Sequence, residues 1–171
     1  MVEEFGVRGK RIDRSFAFID LCGFTAYNDH EGDDEAVDIL NAFRATVRGV
    51  ASARGVRIAK WLGDGAMLVG VEAEPLLEAI VEIEALIDSS GSPLPLRGGF
   101  TSGRVILIDG DDYIGTPVNL AARLCDGAEP RQILAPTDTV EHLYTVLVTR
   151  PIGARMIAGL DEPVHLVELS R

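Results

Sequence analysis

The tripeptide Gly63-Asp64-Gly65 stands between two short apolar runs, Val56 to Leu62 and Ala66 to Val71. Two strands joined by such a turn read as an antiparallel hairpin. A helical stripe lies on each side of it. Ala36, Ile39, Leu40, Phe43 and Val47 recur at helical spacing between Asp33 and Ala53, and Leu76, Ile80, Ile83 and Ile87 do so from Pro75 to Ile87. Beyond the stripes come two further apolar runs, Ser15 to Leu21 and Leu96 to Phe100. The order is β-α-β-β-α-β, which predicts an α+β, ferredoxin-like split βαβ core with its helices on one sheet face. Val105 to Ile108 reads as another strand. Thr116-Pro117 reads as a helix start, with a capping hydroxyl and then proline, and that helix runs to about Gly127. Strands at Ile133 to Ala135, Tyr144 to Thr149 and Val164 to Leu169, with a short helix near Asp138 to Leu143, complete the chain. The fold hosts many activities, so the activity must be read from side chains.

A length of 171 residues suits one domain with a sizeable core. Residues 1–13 read as a polar lead-in tail and 14–171 as the domain. The formal net charge of −11 opposes nonspecific binding to nucleic acid or anionic lipid, while leaving room for a metal-chelated anion in a local cationic pocket. Two cysteines, Cys22 and Cys125, lie outside any CxxC pair and read as reduced thiols. With no secretory leader and no bilayer-length apolar run, the expected setting is cytoplasmic, with no membrane partner.

Asp20 ends the apolar run Phe16 to Ile19 and is followed by Cys22-Gly23-Phe24-Thr25. A carboxylate at the end of a buried strand needs a cation nearby, from a salt bridge or from a ligand. Gly23 lets the backbone approach a ligand, and the amides after it can turn toward phosphate oxygens. Asp64 sits in the hairpin turn, where aspartate before glycine is common for purely local reasons. If the sheet brings Asp20 and Asp64 together, their oxygen-only donor set suits Mg²⁺ or Mn²⁺. Lysine occurs only at positions 10 and 60. Strand alternation puts Lys60 on one face with Val56, Ile58 and Leu62, either as a snorkelling edge residue or as a functional cation. Asn119 and Arg123, four apart, share a helix face near its start, a pattern equally at home on a solvated surface.

Taken together, "FAFIDLCGFT", "KWLGDGAMLVG", "LRGGFTSGRV", "DYIGTPVNLAARL" and "GLDEPVHLVEL" occur in an order and spacing that resemble the class III nucleotidyl cyclase catalytic domain from about Ser15 to Leu169. The resemblance implies the nucleotidyl cyclase fold and conversion of ATP to 3′,5′-cyclic AMP and pyrophosphate. It implies that Asp20 and Asp64 hold two divalent metal ions, Mg²⁺ or Mn²⁺. It makes Gly23, Phe24 and Thr25 a phosphate cradle and Lys60 with Asp112 the base-selecting pair. Asn119 becomes the ribose-orienting residue and Arg123 the group that stabilises charge at phosphorus. Arg97 falls on a recurring family arginine and reads as structural. Each site is expected to form across a head-to-tail homodimer, and an upstream regulatory domain is a possible addition.

Two departures from the family pattern stand out. Ala158 occupies the position of the lysine that binds triphosphate, and Arg155 is the candidate substitute. Thr101 replaces a frequent histidine, with little consequence expected. Three other readings compete: a cyclase-like nucleotide-binding or dimerisation module that has lost turnover, a guanylate cyclase, and a diguanylate cyclase, whose Gly-Gly-Asp/Glu-Glu-Phe signature is absent.

Overall fold

The computed structural model describes residues 9–110 and 112–171. Most of the expected tail, residues 1–8, lies outside the described residues. In chain order the elements are β1 (Lys10–Leu21), α1 (Phe24–Glu31), α2 (Asp33–Arg54), β2 (Arg57–Leu62), β3 (Gly65–Gly70), α3 (Ala73–Ser89), β4 (Leu96–Ile108), β5 (Asp112–Ile114), α4 (Thr116–Gly127), β6 (Ile133–Pro136), α5 (Thr137–Val140), β7 (Val148–Arg155) and β8 (Val164–Ser170).

The strands form one sheet in the order β2-β3-β1-β4-β6-β8-β7, with β5 paired to β4. Each neighbouring pair among the first four strands of that order is antiparallel, so β1 and β2 run parallel with β3 between them, as a split βαβ core requires. β4 and β6 run parallel. Alternation along β1 serves both faces of the sheet. Ala17, Ile19 and Leu21 join Val47 of α2 and Leu76 and Ile80 of α3 in the main core. Phe16 points the other way and packs with Met67, Val69, Val105 and Ala121 of α4. The two core helices therefore share one face, as expected, and the added helix α4 covers the other.

That helix lies directly on the β4 backbone. A Cβ on Gly99 would collide with the Ala121 carbonyl and stand 2.8 Å from Leu124 Cβ. Buried Thr101 donates a 2.6 Å hydrogen bond to the Pro117 carbonyl and fixes the first turn of α4. The threonine that departs from the family pattern thus holds the helix that carries Asn119 and Arg123.

Several boundaries differ from the sequence reading. β4 is one strand of 13 residues rather than two, because Thr101 to Arg104 pair with β1 although they break the apolar run. Residues Phe24–Glu31, to which the sequence reading assigns no element, form a helix. β1 starts at Lys10 rather than Ser15, and β7 spans Val148–Arg155 rather than starting at Tyr144. Thr116 supplies no capping hydrogen bond, because the cap position falls on Gly115. Among the described residues no helix is long and apolar enough to cross a membrane. Cys22 and Cys125 are both free thiols. Burial raises the pKa of each above the ordinary thiol value.

Candidate active site

β1 sits between β3 and β4, so its C-terminal end meets the β2–β3 hairpin on one side and the start of β4 on the other. Asp20 is in register with Gly65 and with Arg97. The next amide, Leu21 N–H, donates to the Asp64 carbonyl at 3.1 Å. Both carboxylates line one open pocket of about 680 Å³, together with Gly23, Phe24 and Thr25. Burial, aided by the nearby negative charge of Asp20, holds the Asp64 carboxyl above its ordinary range.

Arg97 answers the need of Asp20 for a cation. Its Nε donates to one Asp20 oxygen at 2.7 Å and its Nη2 to the other at 3.3 Å. Its Nη1 donates to the Asp126 carbonyl at the end of α4, at 2.7 Å. Hydrogen bonding to Asp20 raises the guanidinium pKa above its already high ordinary value. Arg97 therefore orients both metal-candidate oxygens of Asp20, as well as tying β4 to α4. The sequence carried only half of this signal, since the pairing depends on the β1–β4 register.

The pocket is also where α1 begins. Gly23 caps that helix, and its first internal hydrogen bond runs from Tyr27 N–H to the Gly23 carbonyl at 3.0 Å. The amides of Phe24, Thr25 and Ala26 precede that bond and have no intrahelical acceptor. A helix N-terminus of this kind favours anions.

Lys60 reaches Asp112, with Nζ to Oδ1 at 3.1 Å, and both side chains are exposed. The route corrects the alternation read from sequence. β2 has a bulge between Ile58 and Lys60. Ile58 is in register with Leu68, which belongs to the α2–α3 face, and Lys60 with Met67, which belongs to the α4 face. The extra residue, Ala59, flips Lys60 to the face opposite Ile58, a common use of a bulge. Arg57 Nη2 donates to the Tyr113 hydroxyl at 3.2 Å, which holds β5, and with it Asp112, over β2.

Asn119 and Arg123 are exposed on one face of α4 and line a small recess of about 90 Å³ with Ile157, Gly159 and Leu160. This recess and the carboxylate pocket have no lining residue in common. Arg155 ends β7 in register with Val164 and lines neither of them. Ala158 is exposed in the turn that follows.

Two carboxylates face one pocket, the Asp64 pKa is raised by burial and by Asp20, and a guanidinium already balances Asp20. The pair fits a small cation whose remaining ligands come from a phosphate. Among the described residues no group of three or more His, Cys, Asp or Glu forms a self-sufficient metal cage.

No family model matches the chain. An uncharacterized protein of Mycobacterium tuberculosis is 36% identical over 154 residues, 89% of this chain and 40% of that protein. The pH-sensitive adenylate cyclase of Mycobacterium tuberculosis is 31% identical over 160 residues, 91% of this chain and 40% of that protein. The chain thus spans about 40% of the length of these curated relatives. Among solved structures, the guanylate cyclase domain of RhGC from Catenaria anguillulae in complex with GTP superposes with a TM-score of 0.81 at 20% identity, covering 94% of this chain and 98% of that one. The chain has the class III adenylate and guanylate cyclase catalytic-domain fold, together with the sequence motifs that carry its resemblance to that family.

Proposed function

We propose that this chain is an adenylate cyclase domain that forms 3′,5′-cyclic AMP and pyrophosphate from ATP, in sites completed by a second copy of itself. The observation that carries this reading is the shared pocket of Asp20 and Asp64 at the N-terminus of α1. Two carboxylates beside free helix amides suit a metal-chelated triphosphate better than any neutral substrate.

The chemistry is an in-line displacement. The ribose 3′-oxygen loses its proton and bonds to the α-phosphorus, and the bond from that phosphorus to the bridging oxygen breaks, so pyrophosphate leaves with the electron pair. Two divalent cations, Mg²⁺ or Mn²⁺, bound by Asp20 and Asp64, would supply acidification of the 3′-hydroxyl and charge neutralisation on the triphosphate. Arg97 holds the Asp20 oxygens in place. The amides of Phe24 and Thr25 receive phosphate oxygens, with Gly23 leaving the approach open. Asn119 orients the ribose, and Arg123 stabilises the charge that builds at phosphorus. Arg155 is the remaining candidate for the triphosphate tail.

Base choice follows from hydrogen-bond polarity. The Lys60 ammonium donates to adenine N1, and the Asp112 carboxylate accepts from the 6-amino group. Guanine presents the opposite polarity at both positions, leaving two polar groups mismatched. Lys60 and Asp112 already stand as a donor–acceptor pair 3.1 Å apart.

The carboxylate pocket and the Asn119–Arg123 recess are separate within one chain. Two separate half-sites of this kind are what a head-to-tail dimer with two equivalent shared sites would bring together, each site taking one set from each subunit.

Incubation with ATP or GTP and Mn²⁺, followed by chromatography of the cyclic product, tests this reading. Cyclic AMP should form faster than cyclic GMP. Lys60→Glu combined with Asp112→Gly should lower the ATP-to-GTP ratio of kcat/KM by at least about tenfold, the loss of about one to two well-made polar contacts. Faster GTP turnover by the unaltered chain would make it a guanylate cyclase. No product at high protein concentration would favour the binding module that Ala158 suggests.

A further inference from the structure

Gly159 lies against the guanidinium of Arg123. A Cβ built on Gly159 would collide with Arg123 Nη1 and stand 3.1 Å from Cζ and 3.2 Å from Nη2. The backbone at Gly159 is left-handed, with φ +85°. It occupies the third position of a turn closed by Leu160 N–H to the Ile157 carbonyl at 3.1 Å. Positive φ at that position is the mark of a type II turn, where glycine is preferred. Ile157 and Leu160 line the same recess as Arg123, with Thr116, Asn119 and Leu120 on the α4 side. Arg123 is exposed on α4, and this turn lies directly against one side of its guanidinium.

We propose that Gly159 is a positioning residue for Arg123: the missing side chain leaves the slot in which the guanidinium is held for the phosphorus. The inference rests on reading Arg123 as the group that stabilises charge there. Because the collision would be with the tip of a flexible side chain, an added methyl group displaces the arginine, while the left-handed φ adds a separate backbone strain that Gly159→Asn relieves. The loss then falls on the transition state rather than on substrate binding.

The test uses the full chain with ATP and Mn²⁺. Gly159→Ala should lower kcat about 10²-fold, the scale of losing one electrostatic donor, with KM for ATP changed less than about threefold. In an Arg123→Ala background the same substitution should cost nothing more; multiplied losses would overturn the proposal. Gly159→Asn separates the slot from the backbone, since asparagine tolerates left-handed φ but still brings a Cβ. It should lose as much as Gly159→Ala, and near-normal turnover would overturn the proposal. If Gly159→Ala fails to fold, Gly159→Asn carries the test alone. If the unaltered chain makes no cyclic AMP, the functional reading fails separately. The contact is then judged by the Arg123 Nε–Hε NMR resonance, assigned by its loss in Arg123→Ala. A shift in Gly159→Asn supports the slot, and an unmoved resonance overturns it.

Discussion

Asp20→Ala is expected to lower cyclic AMP formation at least about 10²–10³-fold while leaving a folded protein, a loss of the size that follows removal of a preorganised electrostatic group. The reason lies at the end of β1. Asp20 and Asp64 open on the same pocket as the first turn of α1, with Glu129 also on its lining. Removing either halves the aspartate donor set for cations that need several oxygen ligands. The substitution also frees Arg97 from its hydrogen bonds to Asp20, although Arg97 keeps its bond to the Asp126 carbonyl. Asp20→Asn controls for that change. The amide oxygen still accepts from Arg97, so the β1–β4 tie persists while the charge is gone. Both variants should show the circular dichroism of the unaltered chain and neither should turn over ATP. Retained turnover in Asp20→Asn would defeat the metal assignment.

Mixing Asp20→Ala with Arg123→Ala is expected to restore activity that neither protein has alone. Each homodimer would carry two broken sites. In a mixed dimer both lesions fall in one site and the other is intact, because the two residues belong to opposite contributions. Random exchange at equal amounts makes half the dimers mixed, so recovery should approach about a quarter of the unaltered rate. The expectation rests on the proposed shared site, and it is supported by Asn119 and Arg123 lining a different pocket from Asp20 and Asp64. No recovery, with subunit exchange shown independently by mass spectrometry, would exclude shared sites.

Much of this architecture is legible from local signals. Gly63-Asp64-Gly65 marks the hairpin that β2 and β3 form, and the stripes through Phe43 and Ile80 mark helices whose buried faces meet the sheet. Strand order leaves open whether Asp20 and Asp64 meet, and the β1–β3 register brings both to one pocket. What escaped was set by longer-range contacts. α1 contains no buried residue, so its sequence carries no apolar stripe. β7 is an exposed edge strand for nearly its whole length and shows no alternation to read. The bulge at Ala59 reverses the facing of Lys60, and nothing in "VRIAKWL" distinguishes it from a regular strand. Thr101 to Arg104 look like a break, because their partners on β1 are 85 or more residues away in sequence. The clamp of Arg97 on Asp20 depends on that same register. Gly159 was visible only as part of a motif, since its contact with Arg123 joins the middle of α4 to a turn after β7.

The most direct measurement is a crystal structure with a nonhydrolysable ATP analogue and Mn²⁺. The triphosphate should lie beside Asp20 and Asp64 of one subunit, with the adenine between Lys60 and Asp112 of the other and Arg123 of that second subunit turned toward the α-phosphate. A nucleotide bound wholly within one polypeptide, or one seated away from Asp20, would contradict the account.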